Sequence, residues 1–348
     1  MPLPIGISFF VFHNISLLVD IAKSQALVPK LSVKNAMLYL SFFPQLVSGP
    51  IARASAFLPQ ITPKVVRDVP IVDVAKWVVV GYFFKLYVAN NLNQLTSNMS
   101  PPIFETIGGA DRLMLLFLYS FQIYADFFGY SAIAVGLGLL FGYRLPLNFR
   151  CPYIASSFSE FWSRWHISLS MWLRTYLYIP LGGNQLGRAR TYANLMIVMA
   201  LGGLWHGAGL NYIAWGILHG LFLVCERPFL SSGVRVGHLQ GIVRVSRIGF
   251  VFVCVSAAWV CFKMPTFADA ASYVSGIFIL SWRPGFPKGH YLLAAVYSAP
   301  VVIQHGWALL RGEDAELSGS LEASLYGALV ALTVMEAGPD SAFIYFQF

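Results

Sequence analysis

The chain has 348 residues, 57% of them hydrophobic and only 11% charged, with a mean hydropathy of +0.66; soluble domains carry roughly a quarter charged residues, so these proportions exclude a soluble globular domain and describe a polytopic membrane protein. The formal net charge of +8 gathers in short connections, at Lys23, Lys30 and Lys34 and at Arg227, Arg235, Arg244 and Arg247. That is the positive-inside distribution of cytoplasmic loops, and it argues against a nucleic-acid partner.

The first apolar stretch, PIGISFFVFHNISLLVDI, has no basic n-region and no small-residue cleavage site, so it reads as a membrane segment rather than a signal peptide. Crossing segments, at roughly 20 residues each, are expected at 4–22, 71–90, 113–141, 191–209, 210–226, 247–263, 291–310 and 320–336. SFFPQLVSGP at 41–50 is broken by Pro44, Gly49 and Pro50, which predicts a re-entrant or interfacial piece with its backbone satisfied by protein or water. The 113–141 segment carries Asp126 and Gly129 near its middle and is expected to be two elements meeting at a break. In FSEFWSRWHISLSMWLRTYLYIPLGG, at 158–183, charged and aromatic residues alternate, as at a membrane interface or along a polar cavity. On a helix, Trp162 and His166 would share a face and Arg164 would lie on another, with Pro180 and Gly182-Gly183 ending the element. The absence of an internal repeat weighs against the inverted-repeat transporter folds.

Two histidines carry the chemistry of this reading: His206 in GGLWHGAGLN and His166 in WHISLS. An ionisable group in a membrane needs a reason to be there. Burial disfavours imidazolium, and a neutral imidazole is a usable general base; a histidine that only hydrogen-bonds a neighbouring helix is the plainer alternative. Arg164 and Arg174 could meet donor phosphates or snorkel to lipid headgroups. Asp126 could pair with a base, cap a helix break or act in function. His13, His219, His238, His290 and His305 have no supporting constellation, although His219 could face the same cavity as His206. Cys151, Cys225, Cys254 and Cys261 read as small packing residues, and no cluster has metal-ligand spacing, so no metal is expected.

PIGISFF (4–10), FFPQLVSGPIAR (42–53), IYADFFGYS (123–131), LNFRCPYIASSFSEFWSRWHISLSMWLRTYLYIPLGGN (147–184), GGLWHGAGLNYIAWGILHG (202–220) and the terminal FIYFQF (343–348) together resemble the membrane-bound O-acyltransferase (MBOAT) family. The resemblance is strongest over 121–226, and within the family it lies nearest the bacterial branch of alginate O-acetyltransferases and related polysaccharide and cell-wall O-acylating proteins. It implies an all-α polytopic fold, an MBOAT-type bundle with re-entrant and interfacial helices around a central cavity, in a single domain over 1–348 that lacks N-terminal helices usual in relatives. Relatives often carry aspartate where this chain has Ala132 and Thr175.

The implied chemistry is O-acetyl transfer to hydroxyls of an exported polysaccharide such as alginate or cellulose. His206 would be the base, and His166 would hold the donor, orient His206 or stabilise the oxyanion. Trp205, Arg164, Arg174 and Asp126 are the candidate substrate-binding residues. Acetyl-CoA is the simplest acyl donor and no bound cofactor is expected. Expected partners are the lipid bilayer and a polysaccharide or periplasmic acetyl-transfer protein, in the bacterial inner membrane. Acylation of peptidoglycan or teichoic acid is the alternative within the family; a transporter or channel, or an inactive scaffold subunit, is the alternative outside it. If the basic 182–190 and 227–247 connections are cytoplasmic, His206 lies deep or toward the outer side.

Overall fold

A computed structural model describes residues 6–23, 31–231, 240–279, 281–282, 284–313, 315, 317–341 and 343. Residues 4–5 of the first motif, 344–348 of the last, Lys30, Arg235 and His238 lie outside the described residues. The described chain is helical throughout, without a strand. In order, it forms α1 (Ile7–Lys23), α2 (Val33–Ser41), α3 (Phe43–Leu46), α4 (Ala54–Phe57) and α5 (Ile71–Tyr82), which runs through a π-helical turn (Phe83–Ala89) into α6 (Asn90–Thr96). Then come α7 (Gly109–Leu140), α8 (Phe158–Arg164), α9 (Ile167–Leu173) with a second π-helical turn (Arg174–Tyr178), α10 (Gly187–His206), α11 (Leu210–Ser231), α12 (Gln240–Lys263), α13 (Phe267–Ile279), α14 (Lys288–Arg311) and α15 (Gly319–Met335).

By length and apolarity α7, α12 and α14 are each able to cross a membrane. Helix α7 is the axis of the bundle, packed by α5, α6, α12, α13 and α14. It is one helix of 32 residues, which corrects the expected break at Asp126 and Gly129. Both residues serve lateral contacts instead. A Cβ added at Gly129 would stand 2.7 Å from the Gly81 carbonyl oxygen and 2.8 Å from the Lys85 amide nitrogen, so glycine here lets α7 close on the α5 rod as small residues do between membrane helices. Asp126 is neutralised across the same contact by Lys85, Nζ to Oδ1 2.6 Å.

The broken piece at 41–50 folds as the short helix α3 followed by a largely buried bend that leads to α4. Gln45, fully buried, donates its side-chain amide to the Tyr39 carbonyl at 2.7 Å, which is how an interrupted segment keeps its backbone bonded where water is scarce. After α15 the chain returns to the π-helical turn at Phe83–Ala89. Gly338 N–H donates to Leu86 O at 3.0 Å, Asn91 to Glu336 O at 2.9 Å, Lys85 to Ser341 O at 3.2 Å and Ser341 Oγ to Asn90 Oδ1 at 2.7 Å. Phe343 is buried there, its ring 4.8 Å from Tyr130 and 6.2 Å from Phe127.

Gly129→Leu is expected to wedge α7 from α5 and to destabilise the protein by about 1–3 kcal/mol or more, as overpacking does. Thermal unfolding in detergent reads this directly; an unchanged midpoint would show that the two helices do not meet at Gly81 and Gly129.

Candidate active site

The site begins at a corner. Ser157 caps α8 by accepting the Glu160 amide at 2.9 Å, while the Glu160 carboxylate takes the Ser156 amide and hydroxyl at 2.8 and 2.9 Å, so side chains close the start of a helix only seven residues long. The helix stops at Arg164. Trp165 is extended and His166 adopts the left-handed conformation, φ 41° and ψ 52°, before α9 starts at Ile167. Trp162 and His166 therefore do not share a helical face as the spacing predicts, because the chain reverses between them. A non-glycine residue at positive φ is held there only by its surroundings.

Those surroundings are polar bonds in a dry place. Ile167 N–H donates to Asn148 O and Arg150 N–H to Arg164 O, both at 3.0 Å, which pins the corner on either side. The Asn148 amide donates to Ser131 Oγ at 3.0 Å and accepts Ser168 Oγ at 2.6 Å, and Ser168 Oγ accepts Ile51 N–H at 2.9 Å. The corner turns the buried His166 imidazole inward, edge-on to Phe127 at 4.6 Å and 6.2 Å from the Trp205 ring.

His206 is the last residue of α10 and is buried. Its ring stands 4.8 Å from Trp205, 5.0 Å from Phe262 and 5.3 Å from Trp215. Glycines make this box possible: a Cβ at Gly203 would press into the Tyr212 carbonyl and lie 3.2 Å from the Gly216 Cα, so α10 and α11 touch backbone to backbone and Trp215 reaches His206. Trp205 is fixed in turn by Phe9 at 5.4 Å and Phe12 at 5.2 Å. Trp215 then leads to His219, fully buried at 4.8 Å, which also lies 5.2 Å from Trp162. Three imidazoles are thus threaded by two indoles, in the order His166, Trp205, His206, Trp215, His219. Sequence reasoning left His219 without a role; the i, i+4 step from Trp215 is the local signal that puts the pair on one face.

The other candidates lie elsewhere. Arg164 bonds Glu160 at 2.9 Å and the Arg150 carbonyl at 3.0 Å and ion-pairs with Glu313, so its guanidinium ties the corner to the end of α14. Arg174 is exposed on the π-helical turn. Asp126 holds Lys85 as described, one residue before the Phe127 that meets His166.

A helical membrane domain with a histidine-centred site buried behind tryptophans is the class these features define. The profile described as MBOAT, membrane-bound O-acyltransferase family, matches residues 7–264, and the chain belongs to that family. It is 38% identical to the "Probable alginate O-acetylase AlgI" of Azotobacter vinelandii over 75% of this chain and 51% of that protein. For the protein of the same name from Pseudomonas aeruginosa the identity is also 38%, over 75% of this chain and 49% of the relative. The "Peptidoglycan O-acetyltransferase" of Helicobacter pylori is 35% identical over 79% of this chain and 56% of its own length. The chain spans about half the length of the curated relatives it matches.

Asn148→Ala is expected to destabilise the protein by about 1–3 kcal/mol, since it strands buried hydroxyls of Ser131 and Ser168, and to loosen His166. Thermal unfolding, with protease accessibility near 165–168, checks both; wild-type behaviour in each would remove Asn148 from the support of the corner.

Proposed function

We propose that the chain is a membrane O-acetyltransferase that moves an acetyl group toward hydroxyls of an exported polysaccharide, alginate-like or cellulose. The observation that carries the reading is His206, enclosed by Trp205, Trp215 and Phe262 with His166 on the far side of Trp205. Family membership gives the reaction class, and the names of the AlgI relatives give the acceptor class.

A sugar hydroxyl is a poor nucleophile at neutral pH, so a base must take its proton as it attacks the thioester carbonyl. In the proposed step the hydroxyl oxygen bonds to the acetyl carbon, its proton passes to His206, the carbon–sulfur bond of acetyl-CoA breaks and the thiolate leaves, taking up a proton. The protein contributes a base held in a low-dielectric box, where electrostatic contacts to a developing oxyanion are stronger than in water. His166, fixed by its corner, orients the reacting groups or meets that oxyanion.

The proposed setting is a multi-pass protein of the bacterial inner membrane. With the 182–190 and 227–247 connections cytoplasmic, α10 runs outward and ends at His206, so acyl groups made inside meet an acceptor, or a periplasmic acetyl-transfer partner, outside. Peptidoglycan is the second acceptor, favoured by the Helicobacter pylori relative. A transport reading would need Asp126 as a relay, and its carboxylate already holds Lys85 at 2.6 Å.

In a strain lacking this gene, complementation with the chain should restore ester-linked acetate on the exopolymer. His206→Ala at matched membrane levels should fall short by about 100-fold or more, the usual scale of general-base catalysis. Equal restoration by both would remove His206 from the reaction.

A further inference from the structure

A groove of about 410 Å³ opens between α8, α11 and α12. Phe158, Phe222, Phe250, Val251, Cys225 and Cys254 form its walls, and Glu226 and Arg247 stand at the end where α11 finishes and α12 begins. The Phe158 and Phe222 rings stack at 4.6 Å, with Phe250 edge-on to Phe158 at 6.1 Å. Glu226 accepts the Phe158 amide and, at 3.1 Å, the Ser159 amide, which ties α11 to the first turn of α8. The walls are held in place before anything enters, and a preformed site loses less freedom on binding.

The polar groups of this groove are few and mostly engaged. Ser156 and Ser157 are bonded to Glu160 and Glu226 holds the two amides, so a sugar or a nucleotide would find few partners. A partner helix is too wide, since one turn of a helix about 10 Å across already takes roughly 400 Å³. An acyl tail is narrow, and here it meets walls on three sides where the outer face of a single helix offers one. Arg247 is exposed and, among the described residues, makes neither a hydrogen bond nor an ion pair. Glu226 attracts it without reaching it, the carboxylate being turned to the α8 amides. Arg244, also exposed, lies three residues before it on the same side of α12. A free guanidinium meets a phosphate with two parallel hydrogen bonds.

We propose that the groove binds an anionic phospholipid, with one acyl tail lying along Phe158, Phe222 and Phe250 and the phosphate on Arg247. Arg244 and Arg227 add attraction at the level of the headgroup. The proposed orientation sets this end of α12 in the cytoplasmic leaflet, where anionic lipids gather. The site stands apart from acetyl transfer and requires neither His206 nor an acyl donor. It meets the histidine line only through its inner wall, where the Phe222 ring lies 5.6 Å from His219.

The test uses the full chain in phosphatidylcholine nanodiscs carrying a trace of phosphatidylglycerol with a photoreactive group on its tail, and crosslinked peptides are located by mass spectrometry. Crosslinks should concentrate on 222–226 and 250–254, and the same probe with a choline headgroup should label these peptides more weakly. Arg247→Gln should lower labelling by the phosphatidylglycerol probe about fivefold, the attraction that one basic residue gives an anionic lipid surface, and leave the choline probe unchanged. Arg247→Lys should keep most of it. On the wild type in detergent, phosphatidylglycerol should slow the reaction of Cys254 with a bulky maleimide and leave Cys151, outside the groove, unchanged; this reading is independent of how the variants fold. Free glycerol 3-phosphate should have no effect. Labelling spread evenly over the apolar helix faces, equal labelling by both probes, or an unmoved Arg247→Gln would overturn the proposal. So would protection of Cys254 by glycerol 3-phosphate, acetyl-CoA or a co-purified protein in place of lipid.

Discussion

In the packed interior of a helical bundle, a backbone amide that leaves its helix has no water to turn to. The reversal at Trp165 and His166 meets that constraint through the backbone of Asn148 and Arg150 and through the chain of Ser131, Asn148, Ser168 and Ile51. These groups come from stretches far apart in sequence, which is why the corner exists only in the folded bundle. His166 owes its inward direction to the corner, and Phe127 and Trp205 meet it because of that direction.

The second organising feature is aromatic. Indoles and phenyl rings around His206 and His219 keep the imidazoles out of contact with bulk solvent while offering their faces and edges as weakly polar neighbours. Glycine contacts set how tightly this is drawn, at Gly203 between α10 and α11 and at Gly129 between α7 and α5. Packing of the smallest residues thus fixes the spacing of the largest ones. The order of the rings follows from that spacing, and so does the separation of the Lys85–Asp126 pair from the histidine line by the single residue Phe127.

Much of the helical layout was legible in the sequence, because runs of apolar residues report helices, and three of the eight expected crossings, in α7, α12 and α14, are long and apolar enough to span; the clustered Lys and Arg mark helix ends rather than connections, since Lys34 lies on α2, Arg227 on α11 and Arg244 and Arg247 on α12. The pairing of WHISLS with LWHG likewise pointed to the residues that meet across Trp205. Where reading failed, the deciding partner was remote. Asp126 and Gly129 look like a helix break in isolation, and only Lys85 and Gly81 show them to be contacts of an unbroken α7. Likewise, no local pattern could reveal that the helix stops before His166, since the groups that satisfy the break sit at 131, 148 and 150. His219 was seen only as able to face the cavity of His206, because a lone histidine in an apolar helix is ordinarily packing, and Trp215 had to be seen touching both imidazoles.

The π-helical turn at Phe83–Ala89 sets the phase between two faces of one rod. A π turn holds one residue more than an α-helical frame would, so it works as an insertion absorbed without breaking the rod. Upstream, Gly81 sits against α7; downstream, Asn90 and Asn91 hold the returning chain at Ser341 and Glu336. These two faces are in phase with their partners only with the extra residue present. Without it α6 would be rotated by about 100°, the angular step of one residue at 3.6 per turn, and its asparagines would look away from the chain they secure. The docking of the last segment thus depends on the phase that the π turn sets, and losing one residue from that turn would undo it even with every contacting side chain kept.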